Sequence, residues 1–340
     1  MRMIAALAIG VCGLPLSVQG ATLAVSNTGV DSGACGPSAS PCRSITRAIT
    51  NASSGDRIVV HPGHYSEDLD RDGIFGEPGE EGSGINITKP LTIESTGGAA
   101  ATFINKISAA GDAIAIFASN VAFGKLNKGF TLRVPGGANT TGISVVNNAT
   151  GVVVAGNVVV GPVNFGIGLI AIGTQARDNR IVCSSNSGIG FFAILGTGTV
   201  IDRNTVEGCG QGFVAGGPGL VLTRNLAIGN NSTGFNLADF TEFTRNAAIG
   251  NVGAGVVLNS GSTPGLMQSN TFAGNGLALG ANCGVQNNTG GTVIATGNFW
   301  GAPTGPGADP ADQVCNAVGS TTVTSPFATT DFTPAQSALR

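Results

Sequence analysis

The sequence predicts an all-β fold, a parallel β-solenoid closed at its N-terminal end by a capping helix. Three observations carry that prediction. A phrase built around one asparagine recurs seven times between Gly151 and Gly301, two columns of apolar residues keep register with it, and the runs between phrases are short and β-rich. The phrases read GVVVAGNVVVG, TQARDNRIVC, GTVIDRNTVEG, GLVLTRNLAIG, TEFTRNAAIG, GLMQSNTFAG and TVIATGNFWG. Their asparagines are Asn157, Asn179, Asn204, Asn225, Asn246, Asn270 and Asn298, spaced by 22, 25, 21, 21, 24 and 28 residues. Units of that period stack on one another, because none can bury its apolar face alone.

In chain order, residues 1–20 read as an export signal. Arg2 is a positive start, Ile4–Leu16 an apolar run, and Val18 and Gly20 are small enough for cleavage before Ala21. The run is too short to span a bilayer, and no other stretch reads as a membrane span. Residues 21–56 read as an N-terminal cap. Ser40 is taken as the N-cap, with Pro41 at the first helical position. Ile45, Ala48, Ile49 and Ala52 then share one face of a helix near Arg43–Ser53. Such a helix covers the open end of a solenoid core. The first strand is expected at Asp56–Val60, followed by a turn at HPGHY. Ile85–Glu94, Ala113–Phe117, Val121–Phe123 and Phe130–Val134 read as irregular early coils.

The regular coils follow. Three before each asparagine stand Val154, Ala176, Ile201, Leu222, Phe243, Met267 and Ala295; two after it stand Val159, Ile181, Val206, Ala227, Ala248, Phe272 and Trp300. Both columns should point inward. The chain turns between them, and asparagine tolerates the left-handed backbone of such a turn. Later in the coil a second marker is expected to stack: Gly166-Ile167, Gly188-Ile189, Gly212-Phe213, Gly234-Phe235 and Gly255-Val256. Each coil is then about three short strands, paired in parallel with the next, and the asparagines can form a side-chain ladder along the axis. The solenoid is expected over residues 57–301, with residues 302–340 as a C-terminal cap or tail.

Composition agrees. There are 55 glycines among 340 residues, roughly twice the usual share, and charged residues are 10%, well under the usual quarter. The net charge is −3 and all four lysines precede Phe130, so nothing calls for nucleic acid. Without Cys12 in the export signal, six cysteines remain for an oxidising compartment. Repeat register narrows the fifteen connectivities six cysteines allow. Cys183 and Cys209 fall four and five residues after their asparagines in adjacent coils and should stack. Cys35 and Cys42 close a small loop, and Cys283 and Cys315 staple the C-terminal end.

The run PCRSITRAITNASSGDRIVVHPGHYSEDL resembles the opening of secreted right-handed parallel β-helix proteins, the pectin-lyase-like superfamily. The asparagine-centred coils are similar to that group's repeats, and NFWGAPTGPG resembles a phrase that closes such domains. The resemblance implies the right-handed fold and a secreted, periplasmic or cell-surface protein. It does not imply one activity, since the group holds lyases, glycosidases, esterases, epimerases and adhesins.

Two local features could carry chemistry. Asp68-Leu69-Asp70-Arg71-Asp72-Gly73 resembles the first half of a calcium loop, with carboxylates at positions one, three and five and glycine at six. Position twelve is Gly79, so Glu77, Glu80 or Glu81 must close the site. Asp68, Asp70, Asp72 and Glu77 are the expected Ca²⁺ ligands; the alternative is a solvated acidic insertion. Arg203, Arg224 and Arg245 each precede a repeat asparagine in consecutive coils. They read either as solvated surface neutralised by Asp202 and Glu242, or as a row whose guanidinium groups bind an acidic polysaccharide or cell-envelope glycan. His61 and His64 fit a turn better than a catalytic role, and no aromatic sugar platform is visible. The expected protein is therefore a monomeric, non-catalytic polysaccharide-binding scaffold or adhesin. The alternative is a polysaccharide lyase or glycoside hydrolase acting on acidic polysaccharide, which a cluster of acids and bases on one sheet face would favour.

Overall fold

A computed structural model describes residues 20–335, except 75–76, 136–138, 147, 162–163, 185–186, 195–196 and 278–279. Residues 1–19 of the expected export signal, Cys12 among them, lie outside it. The chain winds into a parallel β-helix whose coils each add a strand to three sheets of ten, nine and ten strands. The first sheet precedes the asparagine turn, as in Val153–Ala155 and Val200–Asp202. The second follows it, as in Val158–Val160 and Thr205–Glu207. The third closes the coil, as in Phe165–Leu169 and Gln211–Gly216. No helix among the described residues is long and apolar enough to cross a membrane.

The two apolar columns are in register. Val154, Ala176, Ile201, Leu222, Phe243 and Met267 pair successively in the first sheet. Val159, Ile181, Val206, Ala227, Ala248 and Phe272 do so in the second. All are buried, together with Ala295 and Trp300. In the third sheet, Phe191, Phe213 and Phe235 stack at 5.1 and 4.7 Å between ring centroids. That register corrects one marker. Gly190-Phe191, and not Gly188-Ile189, stacks on Gly166-Ile167, because Ile167 pairs with Phe191 and Ile189 faces Phe165. A Cβ at Gly190 would lie 2.3 Å from Val206 Cγ1, so the core leaves that position no side chain.

The turn itself is organised differently from expectation. The left-handed residue is the one before each asparagine: Gly156, Asp178, Arg203, Arg224, Arg245, Ser269 and Gly297 all have φ between 54° and 69°. This frees the asparagine to point inward. From Asn179 on, each Oδ1 accepts the backbone N–H and the Nδ2–H of the asparagine one coil earlier, as from Asn204 to Asn225 at 2.9 and 3.1 Å; Asn157 Oδ1 accepts the Phe130 N–H instead. Each Nδ2 also donates to a carbonyl of the preceding coil, as Asn225 does to Ile201 at 2.8 Å. The turn's backbone groups are thereby satisfied without water. A second ladder, Asn230, Asn251 and Asn275, runs beside it and ends on the buried Asp312.

The chain's ends depart further. Thr22–Val25 already pairs with Arg57–Val60, ahead of the first strand expected at Asp56–Val60. The helix is Ile45–Asn51 with Ser44, not Ser40, as its N-cap. Ser40 instead closes a turn, its N–H donating to Pro37 O at 2.8 Å, Cys42 is bonded to Cys35 and bridged to Val25, and Asp31 fixes Ser44 through Oγ at 2.6 Å. The expected face of Ile45, Ala48, Ile49 and Ala52 is the buried one. Cys183–Cys209 and Cys283–Cys315 are also bonded. At the far end, Gln313–Asn316 and Thr321–Val323 add strands beyond the last asparagine phrase.

Candidate functional site

A cleft of about 710 Å³ opens on the N-terminal coils and not along the arginine row. Its floor is the outer face of three consecutive second-sheet strands, Gly63–Ser66, Thr102–Asn105 and Thr131–Arg133. Alternation decides which side chains reach it. Tyr65, Ile104 and Leu132 point into the core, so His64, Phe103, Asn105 and Arg133 point out. His64 stacks on Phe103 at 4.7 Å. The Arg133 guanidinium lies 4.5 Å from the same ring's centroid, a geometry in which the ring quadrupole favours the cation. Phe103 and Arg133 were not anticipated; the alternation about Ile104 and Leu132 is the signal that could have found them.

The walls come from the two loops that leave these strands. Asp68, Leu69 and Arg71 of the acidic loop stand on one side, and Lys106 and Ile107 on the other. Lys106 is buried and pairs with Glu67 at 3.1 Å, both side chains being at most 3% exposed. Glu67 also accepts the N–H groups of Ile107 and Ser108 at 3.0 and 2.8 Å. That buried pair pins the acidic loop to its neighbour and shapes the groove.

Within the acidic loop the expected ligands form two overlapping groups. Oxygens of Asp68, Asp70 and Glu80 lie within 4.8 Å of one another, and so do those of Asp70, Asp72 and Glu77. Glu81 is committed elsewhere: its carboxylate caps the helix at the N–H groups of Ile45 and Thr46, at 2.6 and 2.9 Å. Asp68 Oδ1 is buried and has no hydrogen-bond partner among the described residues. The nearby Asp72 carboxylate, then partial burial and the charges of Asp70, Glu80 and Asp68, push Glu77 above the usual carboxylate range. An orphaned inward oxygen amid crowded anionic oxygens fits a hard divalent cation.

The arginine row is not bare. Arg203 binds Asp178 through Nε and Nη2 at 2.6 and 3.0 Å, and Arg224 binds Asp202 in the same two-pronged way at 2.8 and 3.0 Å. Asp202 also meets Arg203 Nη1 at 2.7 Å. The repulsion expected between stacked guanidinium groups is thus relieved by acids interleaved one coil back. Glu242, expected as a neutralising acid, instead accepts a hydrogen bond from Thr244 at 2.6 Å.

No family model and no curated protein matches the chain. Among solved structures it is similar to the crystal structure of pectate lyase Pel9A, at 15% identity and a TM-score of 0.47, over 94% of this chain and 82% of that one. At that level of likeness the groove has to be understood from this chain's own side chains.

Proposed function

We propose that the protein is an exported, non-catalytic β-helix scaffold that binds an acidic polysaccharide in the groove over His64, Phe103 and Arg133, with Ca²⁺ held beside it. The observation that carries the reading is the groove, where the exposed guanidinium groups of Arg71 and Arg133 stand beside Asp68, the acidic-loop carboxylate that lines it. Planar guanidinium groups suit the carboxylates of a uronic-acid polymer. Asp68, Asp70 and Glu80 would hold the cation, with Asp72 and Glu77 completing the loop; bound there, it supplies positive charge to a wall that otherwise repels a polyanion. Lys106, the groove's amine, is held by Glu67, Ser83 and Ser108, which leaves it poorly placed to take a proton. Three disulfides suit an oxidising, extracytoplasmic setting.

Calcium should raise the melting temperature, because a ligand of the folded state alone stabilises it by mass action. Asp70 belongs to both oxygen groups, so Asp70→Ala should abolish the increment. Acidification should weaken calcium binding, since the ligands must be ionised and Glu77 protonates more readily than an ordinary carboxyl. Identical melting curves in calcium and in chelator would leave a solvated acidic insertion.

A second reading, a lyase acting on uronates, is favoured by one observation: Asp68 and the guanidinium groups of Arg71 and Arg133 share this groove, although the sequence had placed the basic candidates far from the acidic loop. Incubating the protein with a panel of uronic-acid polysaccharides, with and without calcium, separates the two. The scaffold reading expects calcium-dependent retention of polymer and no change in absorbance or chain length. Unsaturated or shortened products would replace it with the enzymatic one.

A further inference from the structure

The ion pairs beside the asparagine turns form a series that stops one step early. Asp178 serves Arg203, and Asp202 serves Arg224. In the next coil the position of Asp202 is held by Thr223, its register partner in the first sheet. Thr223 cannot supply a carboxylate; its Oγ1 donates to Asp202 at 2.8 Å. Arg245 consequently has no acid partner among the described residues, although it is exposed and holds the same left-handed backbone, φ 56°.

Over this end of the series lies the C-terminal segment. The Asp331 carboxylate accepts the Thr271 hydroxyl at 2.6 Å, and the Phe332 N–H donates to Thr271 Oγ1 at 2.9 Å. Anchored there, Phe332, Pro334 and Ala335 face Arg203, Arg224 and Arg245 across a slot of about 310 Å³. That is the small end of the range for ligand clefts. One wall is cationic and the other is an aromatic ring and a proline.

We propose that this slot is a second binding site, separate from the N-terminal groove, for a single carboxylated sugar ring whose carboxylate completes the ion-pair series on Arg245. The vacancy is that of one carboxylate, and guanidinium binds one bidentately. The apolar wall suits the C–H face of a sugar ring. At about 310 Å³ the slot has room for one sugar ring, as a free hexuronate or the end of a chain offers.

The test is a titration of the whole protein with galacturonate and with its linear trimer, following the Arg245 Nε–H and Phe332 amide signals by NMR. Methyl galactoside serves as the neutral control. Saturable shifts at both signals are expected with galacturonate, with the trimer, or with both, and the tighter of the two identifies a free sugar or a chain end. Arg245→Gly keeps the left-handed turn and should weaken binding about tenfold or more; Phe332→Ala should weaken it less. Arg133→Ala should leave these shifts in place, which separates failure of the slot from failure of the groove. Absent shifts, shifts that survive Arg245→Gly, or equal shifts with methyl galactoside would each overturn the proposal.

Discussion

Replacing Asn225 with alanine should destabilise the protein by about 4 kcal/mol. The side chain sits in the middle of the longer ladder with no exposed surface. It accepts the Asn204 N–H and Nδ2–H and donates to Ile201 O and Asn246 Oδ1. Truncation strands the Asn204 N–H and removes the Ile201 carbonyl's side-chain partner, away from water. Each stranded buried group costs about 1–3 kcal/mol, and the vacated volume adds to that. Asn231, exposed in the next turn of chain, is the control: its alanine variant should stay within about 0.5 kcal/mol of the parent. Denaturant midpoints decide the matter. If both variants unfold with the parent, the ladder is a geometric coincidence and the coils are held by apolar packing alone.

Lys106→Met should cost about 3 kcal/mol, because it leaves the Glu67 carboxylate buried without its cation. The three hydrogen bonds Glu67 keeps from Ile107 and Ser108 place the effect at the lower end for a broken buried pair. Adding Glu67→Gln removes the stranded charge while retaining an acceptor for those N–H groups. The double variant should therefore be more stable than Lys106→Met alone. A double variant less stable than the single would mean that Lys106 contributes by packing and not by neutralising Glu67. The pair matters beyond stability, since it ties the acidic loop to the wall of the groove.

How much of this is legible in the chain depends on where one reads. From Val153 to Phe272 every coil makes the same turn and needs the same residues at it, so asparagines and flanking apolar columns repeat and the fold can be derived from them. The left-handed position was misassigned by one residue, though its column opens with Gly156 and Asp178 and closes with Gly297; the arginines and the serine between them give no conformational hint. Asp202 was read as a neutralising acid and does pair with Arg203 and Arg224; the Asp178 pair was missed because it joins Arg203 to a side chain 25 residues earlier, a relation visible only once register is fixed. The N-terminal coils were least legible. The insertion after Ser66 breaks the period, and with it the alternation that would have turned Phe103 and Arg133 outward on paper. The groove therefore emerged from the sheet register, while only its acidic wall was readable as a motif.

The central claim is that an acidic polymer is held by the N-terminal groove and not by the arginine row. It is tested most directly by measuring polygalacturonate binding, in calcium, to the parent, to an Arg71→Ala, Arg133→Ala double variant, and to a variant with Arg203, Arg224 and Arg245 all replaced by alanine. The groove account predicts that the double variant loses about tenfold or more in affinity, while the triple variant stays near the parent for internal segments of the polymer. Retained binding in the double variant together with loss in the triple one would contradict it and return the site to the row.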